Sequence, residues 1–433
     1  MAFSTRRRAP ERDDIAFAQP SHSSSLFDRV IQTCRDTAFG HHALAPSLVA
    51  LGAVLALTPA LTPAPARADS VAAAKTLIEQ AEAGLVAPKD AKKPELSLTI
   101  EDFAPVTDWP GPKTSATAPA HKKIVAISCA TVAPFCADVS KGSVEAAKAL
   151  GWDATYLDGK GSVQGFVQAF ETAINGKPDA IIAMAIPESL VATYIAKAHA
   201  AGIKVIAASS IPQQISVENG HYDAYVSVRE DTNALLQAWF VIADSAGKAN
   251  LTWMWDPGYP FLTAELQQQK KLFAAECPGC KQGEVGLREL DAAANPVRMQ
   301  QLGAGLLSRN PTADYILTAY GLNSHSLFIA AQSAGRQVKV VSKNNDPNNV
   351  AFVAQGQLYA EMGASSNWGG WAAMDQTVRV LAGEKPLEAT EENQPEHVFV
   401  KANAPANGEL DWTKLYDYKT KYLQLWGHKP ANG

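Results

Sequence analysis

Residues 122–208 read KKIVAISCATVAPFCADVSKGSVEAAKALGWDATYLDGKGSVQGFVQAFETAINGKPDAIIAMAIPESLVATYIAKAHAAGIKVIAA. Four apolar runs of strand length stand out, over 124–128, 154–157, 179–184 and 204–208. The segments between them carry helical periodicity. Val163, Phe166, Val167, Phe170 and Ile174 recur at three-to-four spacing, and so do Leu190, Val191, Tyr194, Ile195 and Ala198, with Ala201-Gly202 ending the second helix. Strands that are apolar throughout, separated by amphipathic helices, predict a parallel sheet covered on both faces.

Downstream the same alternation returns. Helices are predicted over 231–246, 261–275, 295–309 and 322–334, with strands over 251–255, 315–318 and 338–342. Asp231 is read as the N-cap of the first of these helices, and Trp253, inside a strand, as core. The fold class is therefore α/β, with two Rossmann-like doubly wound units. In such units ligands sit at the carboxyl ends of the strands, and two units facing each other form a cleft.

Upstream, Arg6, Arg7 and Arg8 precede an apolar run over 48–61, and Ala66-Arg67-Ala68 precedes Asp69. This order of positive, apolar and small residues predicts a cleaved export signal over 1–68, although its basic part is unusually long. A short Ala-rich helix is expected over 69–85. A Pro-, Lys- and Thr-rich arm over 86–121 follows, to be read as a linker or as a strap packed on the body. The 433 residues are 47% hydrophobic and carry a formal net charge of −5, which gives no basic footprint for nucleic acid. Beyond the expected signal, no uncharged apolar run approaches the roughly 18–20 residues of a membrane span.

Beyond the signal, four cysteines form two local pairs, Cys129 with Cys136 and Cys277 with Cys280. In an oxidising compartment both are candidate disulfides. A zinc site is the alternative, without a histidine pattern to support it, and a redox role for Cys277-x-x-Cys280 is weaker because it follows a helix instead of opening one. No nucleophile elbow, HExxH or P-loop occurs. Gly159-Lys-Gly161-x-x-x-Gly165 has a gap one residue too long for a dinucleotide fingerprint. Neither an enzyme nor a cofactor is expected.

Several segments, in order, resemble the type I periplasmic binding proteins of the ribose and galactose group. They are Ala133-Pro-Phe135-Cys, Gly176-Lys-Pro-Asp179, Pro187-Glu-Ser, Ala201-Gly202-Ile-Lys-Val-Ile, Val228-Arg-Glu-Asp231, Ala334-Gly335 before 338–341, and Leu381-Ala-Gly-Glu-Lys385. The resemblance covers roughly residues 122–400. It implies two lobes joined by three hinge crossings, lobe one over 122–228 plus 364–397 and lobe two over 229–363 plus 398–433. It also implies a small-molecule ligand, a membrane ABC permease as partner, a monomer, and a periplasmic or other extracytoplasmic location. A sensor role with the same clamp is the alternative. A sugar-repressor kinship would need a helix-turn-helix in front, which is missing.

Carried over position by position, the polar grips of the sugar-binding relatives are mostly replaced. Phe135 remains from an aromatic motif after the first strand, while Ser209 and Ser210 stand where an Asp-Arg pair is expected. Gln267, Gln268 and Gln269 occupy the place of a second-lobe arginine, Tyr320 that of an asparagine, and Ala364 or Ser365 that of a glutamine. Asn344 stands for an aspartate, with Asp346 two residues on. Arg229 and Asp256 are added as polar contacts, Tyr259, Phe261 and Trp368 as stacking surfaces, and Asn367 beside Trp368; Trp255 and Trp371 divide between stacking and packing. A small neutral solute, sugar-like by family, is the expected ligand; a flat aromatic or apolar one is the alternative.

Overall fold

The structure, a computed structural model, describes residues 66–287 and 295–428. The expected export signal lies outside them except for its last three residues. The helix α1 (Ala66–Ala83) opens the described chain.

Residues 122–208 form the sheet that their pattern predicts. The strands β3 (Lys123–Ser128), β4 (Asp153–Asp158), β5 (Ala180–Met184), β6 (Lys204–Ala208) and β7 (Ala224–Val226) are all parallel, in the order β4-β3-β5-β6-β7. The central strand β5 is buried along its whole length, which is why its sequence lacks alternation. The helices α2 (Pro134–Ala149), α3 (Val163–Asn175) and α4 (Glu188–Ala200) cover it. Ser162 caps α3 by accepting from the Gly165 amide at 3.1 Å, so Val163 falls in the first turn and is exposed, while Phe166 and Phe170 carry the buried face.

A second sheet of nine strands runs β10-β8-β11-β12-β13-β14-β1-β2, with β9 beside β8. Its parallel part comprises β8 (Asn250–Trp255), β9 (Lys281–Gln282), β10 (Gly286–Leu287), β11 (Tyr315–Thr318), β12 (Lys339–Lys343) and β13 (Ala360–Ala364). An antiparallel extension comprises β14 (Glu396–Val400), β1 (Val86–Pro88) and β2 (Phe103–Pro105). The helices α5 (Glu230–Asp244), α6 (Pro260–Glu276), α7 (Pro296–Arg309), α8 (His325–Ser333) and α9 (Pro347–Ala354) belong to this unit. The helix α5 starts one residue before the expected cap. Arg229 holds the N-cap position in a left-handed conformation (φ 64°), and Asp231 lies inside the first turn.

Three segments cross between the sheets: β7 to α5, β13 to α10 (Ser366–Leu381), and α10 to β14. The helix α10 packs tightly against α2. A methyl group at Gly142 would strike the backbone of Asn367, and one at Gly370 the backbone of Val139.

The arm is a strap. Strands β1 and β2 extend the nine-stranded sheet, whereas Trp109 is buried in the core of the five-stranded unit, stacked on Trp368 with ring centres 5.7 Å apart. The C-terminal segment also divides. Strand β14 lies in the nine-stranded sheet, but the helix Tyr418–Leu425 and Trp426 pack under α10, where Trp426 stacks on Trp371 at 5.7 Å. Residues 398–433 therefore do not belong to lobe two as a block, because their aromatic side chains fill the core of the other sheet.

Candidate functional site

A cavity of about 360 Å³ opens between the two sheets. Its walls come from loops at the carboxyl ends of parallel strands, where backbone groups and short side chains are presented together. From the five-stranded unit come the loop after β3 with the start of α2 (Cys129, Phe135, Cys136), the loop after β4 (Lys160, Gly161, Ser162) and Ala185 after β5. The nine-stranded unit contributes Glu230 at the start of α5, Asp256, Tyr259, Phe261 and Leu262 after β8, Tyr320 after β11, and Asn344 and Asp346 after β12.

Each polar group is held by local structure. Asp256 accepts from the Gly258 amide at 2.8 Å and from the Tyr320 hydroxyl at 2.6 Å, which ties two strand ends together. Asp346 caps α9, accepting from the Asn348 amide at 2.9 Å; burial pushes its carboxyl up to about 6. Glu230 accepts a hydrogen bond from Ser209 of the opposite unit, and burial raises its carboxyl above the usual range. Burial lifts the Tyr259 hydroxyl to about 12, and the nearby carboxylates of Asp256 and Glu230 add to that.

Asn344 differs from these. It is 2% exposed, lies in the left-handed region (φ 87°) that asparagine tolerates, and neither its amide nitrogen nor its amide oxygen has a partner. A buried amide without partners costs stability unless something else supplies them.

Seven of the twelve expected site residues thus meet in one cavity: Phe135, Asp256, Tyr259, Phe261, Tyr320, Asn344 and Asp346. Ser209 and Ser210 line a small adjoining recess with Ile211, Tyr259 and Phe261. Three others lie elsewhere. Arg229 is 1% exposed at the hinge, paired with Glu95 at 2.6 Å and donating to the Thr390 carbonyl at 3.0 Å. Asn367 donates to Glu145 and accepts from Tyr418, both at 2.8 Å. Trp368 is fully buried between Trp109 and Tyr418. All three are occupied by packing partners far away in sequence. Trp255 is also core, 1% exposed, and its indole N–H donates to the Leu262 carbonyl.

Sequence reading missed Glu230, the Lys160–Ser162 loop and Leu262 as wall residues. The strand-end rule would have found the loop after β4; Glu230 was hidden because the start of α5 was placed one residue late. Cys129 is bonded to Cys136, which turns the end of β3 and the first turn of α2 into one closed segment of cavity wall; Cys277 is bonded to Cys280 beyond α6. Among the described residues no cluster of three or more His, Cys, Asp or Glu side chains could hold a metal ion, and no helix is long and apolar enough to cross a membrane.

No curated protein matches this sequence. Solved structures similar to it include an ABC sugar transporter subunit from Rhodobacter sphaeroides 2.4.1, 22% identical, covering 65% of this chain and 99% of that one, with a TM-score of 0.55. A second is an ABC transporter periplasmic solute binding protein from Actinobacillus succinogenes 130z with bound D-allose (18% identical, 65% of this chain and 99% of that one, TM-score 0.57). A third is an ABC transporter solute binding protein from Agrobacterium vitis with bound allitol (18%, 65% and 96%, TM-score 0.56). At such identities the likeness is one of fold. The profile of the periplasmic binding protein domain family matches residues 124–385, more than half the chain and strands of both sheets, and by that match the chain belongs to the periplasmic binding protein family.

Proposed function

We propose that this protein is the extracytoplasmic solute-binding component of an ABC importer, exported through a cleaved N-terminal signal and acting as a monomer. Its two lobes close on a small sugar-like solute and present the closed form to a membrane permease. It captures its ligand and does not transform it. The observation that carries this reading is the aromatic-lined cavity between two lobes, whose wall includes Asn344, a buried amide with both polar atoms unpartnered. Such an amide offers one donor and one acceptor side, which matches a polyhydroxylated molecule. Phe135 and Tyr320 supply flat faces on opposite walls. Related proteins with bound D-allose and allitol support the same ligand class.

The test is a thermal-shift screen of the protein purified after export, against sugars, sugar alcohols, cyclitols and aromatic acids. A ligand that binds only the native state raises the melting temperature by mass action. Stabilisation by a carbohydrate is the expected result. Stabilisation by aromatic or apolar solutes alone would overturn the sugar-like assignment.

A further inference from the structure

We propose that the solute is cationic: a sugar-like molecule carrying a protonated amine, whose ammonium lies among Glu230, Asp256 and Asp346 and against the rings of Tyr259 and Tyr320. This inference rests on the cleft being the solute site and names the ligand class it takes.

Three carboxyl groups reach the cavity from three different strand ends or helix starts of one lobe. Taken singly, Asp256 and Asp346 read from sequence as polar anchors; with Glu230 beside them the wall becomes acidic. The basic residue of the lining is Lys160, exposed on the opposite lobe. The buried cations behind the wall are held by carboxylates outside the lining: Lys343 is fully buried with Glu265 at 2.7 Å, and Arg229 is paired with Glu95 at 2.6 Å. Lys343 also donates to the Glu230 carbonyl at 3.2 Å and offsets the Glu230 carboxyl in part, which leaves Asp256 and Asp346 without a cation partner among the described residues. Burial raises Asp346, and it raises Glu230 even against the opposing charge of Lys343.

Asp256 and Asp346 are already only 1% and 3% exposed, and holding an uncompensated ion out of water costs several kcal/mol. A neutral sugar returns only hydroxyl hydrogen bonds. An ammonium group returns charge-assisted ones, which are roughly twice as strong, and is also attracted to the ring faces of Tyr259 and Tyr320. Asn344, buried in the wall of the same cavity, is a further group whose hydrogen bonding the protein itself leaves incomplete.

The experiment is titration calorimetry on the protein purified after export, using matched pairs: glucosamine with glucose, galactosamine with galactose, N-methylglucamine with sorbitol. N-acetylglucosamine is the neutral control, and choline and putrescine are amines without a sugar frame. We expect at least one amine to bind about ten- to a hundredfold tighter than its neutral partner. The advantage should shrink with added salt and largely vanish in Asp256→Asn and in Glu230→Gln. The salt dependence is read on the wild-type protein, so it stands even where a variant fails to fold. A neutral partner that binds as tightly as its amine overturns the cation while leaving the sugar-like reading intact. Binding of choline or putrescine with none of the sugars sustains the cation and removes the sugar frame. No binding by any amine overturns the proposal.

Discussion

Asn344 sits where the chain turns sharply after β12, in the left-handed region, so glycine is the substitution that removes its amide without straining the backbone. Asn344→Gly should weaken solute binding by roughly tenfold or more, since a buried hydrogen-bonding group is worth about 1–3 kcal/mol when left unmet. Stability without ligand should not fall, because the wild-type amide has no partner to lose. Calorimetry and melting temperature on the same sample check both parts. Behind the same wall, Glu361 is fully buried, and burial with the nearby Asp346 carboxylate pushes it up to about 8. Both carboxyls hold their protons more tightly folded than unfolded. Each therefore contributes its stability at pH below the ordinary carboxylate range and loses it as pH rises, Asp346 through about 6 and Glu361 through about 8. Urea midpoints should fall between about pH 4 and pH 8, and Glu361→Gln should flatten the upper part of that fall. An unaltered profile in the variant would place the titration on another group.

Among the elements, the loop between β3 and α2 matters most for the site. The Cys129–Cys136 bond closes it within a separation of 7 residues and puts both sulfurs in the cavity wall. Replacing both cysteines with alanine should cost roughly 2–3 kcal/mol by the loop-entropy argument, seen as a lower melting temperature. Solute affinity should fall as well, because Phe135 is carried by the same loop. An unchanged melting temperature would show that the bond constrains nothing. Elements also show where sequence reading succeeds. Runs such as 124–128 and 179–184 declare a doubly covered parallel strand because every position is buried, and that signal needs no knowledge of partners. Strands β1 and β2 have three residues each, and both end in proline; they exist only because β14 offers an edge, so no local pattern announces them. The same limit applies to Arg229. Its type suggests a ligand grip, yet its partner Glu95 lies 134 positions upstream. Trp368 looked like a stacking surface for the same reason, since the ring that covers it, Trp109, comes from the arm. Cavity residues at strand ends were legible because the fold class alone says where to look. Glu230 was not, because a one-residue error in a helix start changes which side chain reaches the cleft.

At the scale of the molecule, the arm acts as a fourth connection between lobes. It leaves the nine-stranded sheet after β2, seats Trp109 in the other core and lies along the third crossing, where Asn393 donates to the carbonyls of Pro88 and Pro110 at 3.2 and 3.0 Å. Glu95 ties the same strap to the first crossing through Arg229. Glu95→Met alone should destabilise by roughly 3–5 kcal/mol, since it leaves a buried guanidinium without its counter-charge. The double variant Glu95→Met with Arg229→Met should recover part of that loss. Urea denaturation of the three proteins checks this, and equal losses in the single and double variants would show that the pair is not coupled. The similar binding proteins are covered almost end to end while spanning about two thirds of this chain.

The strap also carries a consequence for how the polypeptide matures. Strand β1 pairs with β14, and Trp109 rests on Trp368 and meets Tyr422 edge-on at 5.2 Å, so segments made early wait for segments made last. Contacts of such long sequence separation form late and slowly. A ribosome-bound chain lacks the partners that lock its front half in place. The front half therefore sets into its final form only when the C-terminal aromatics arrive.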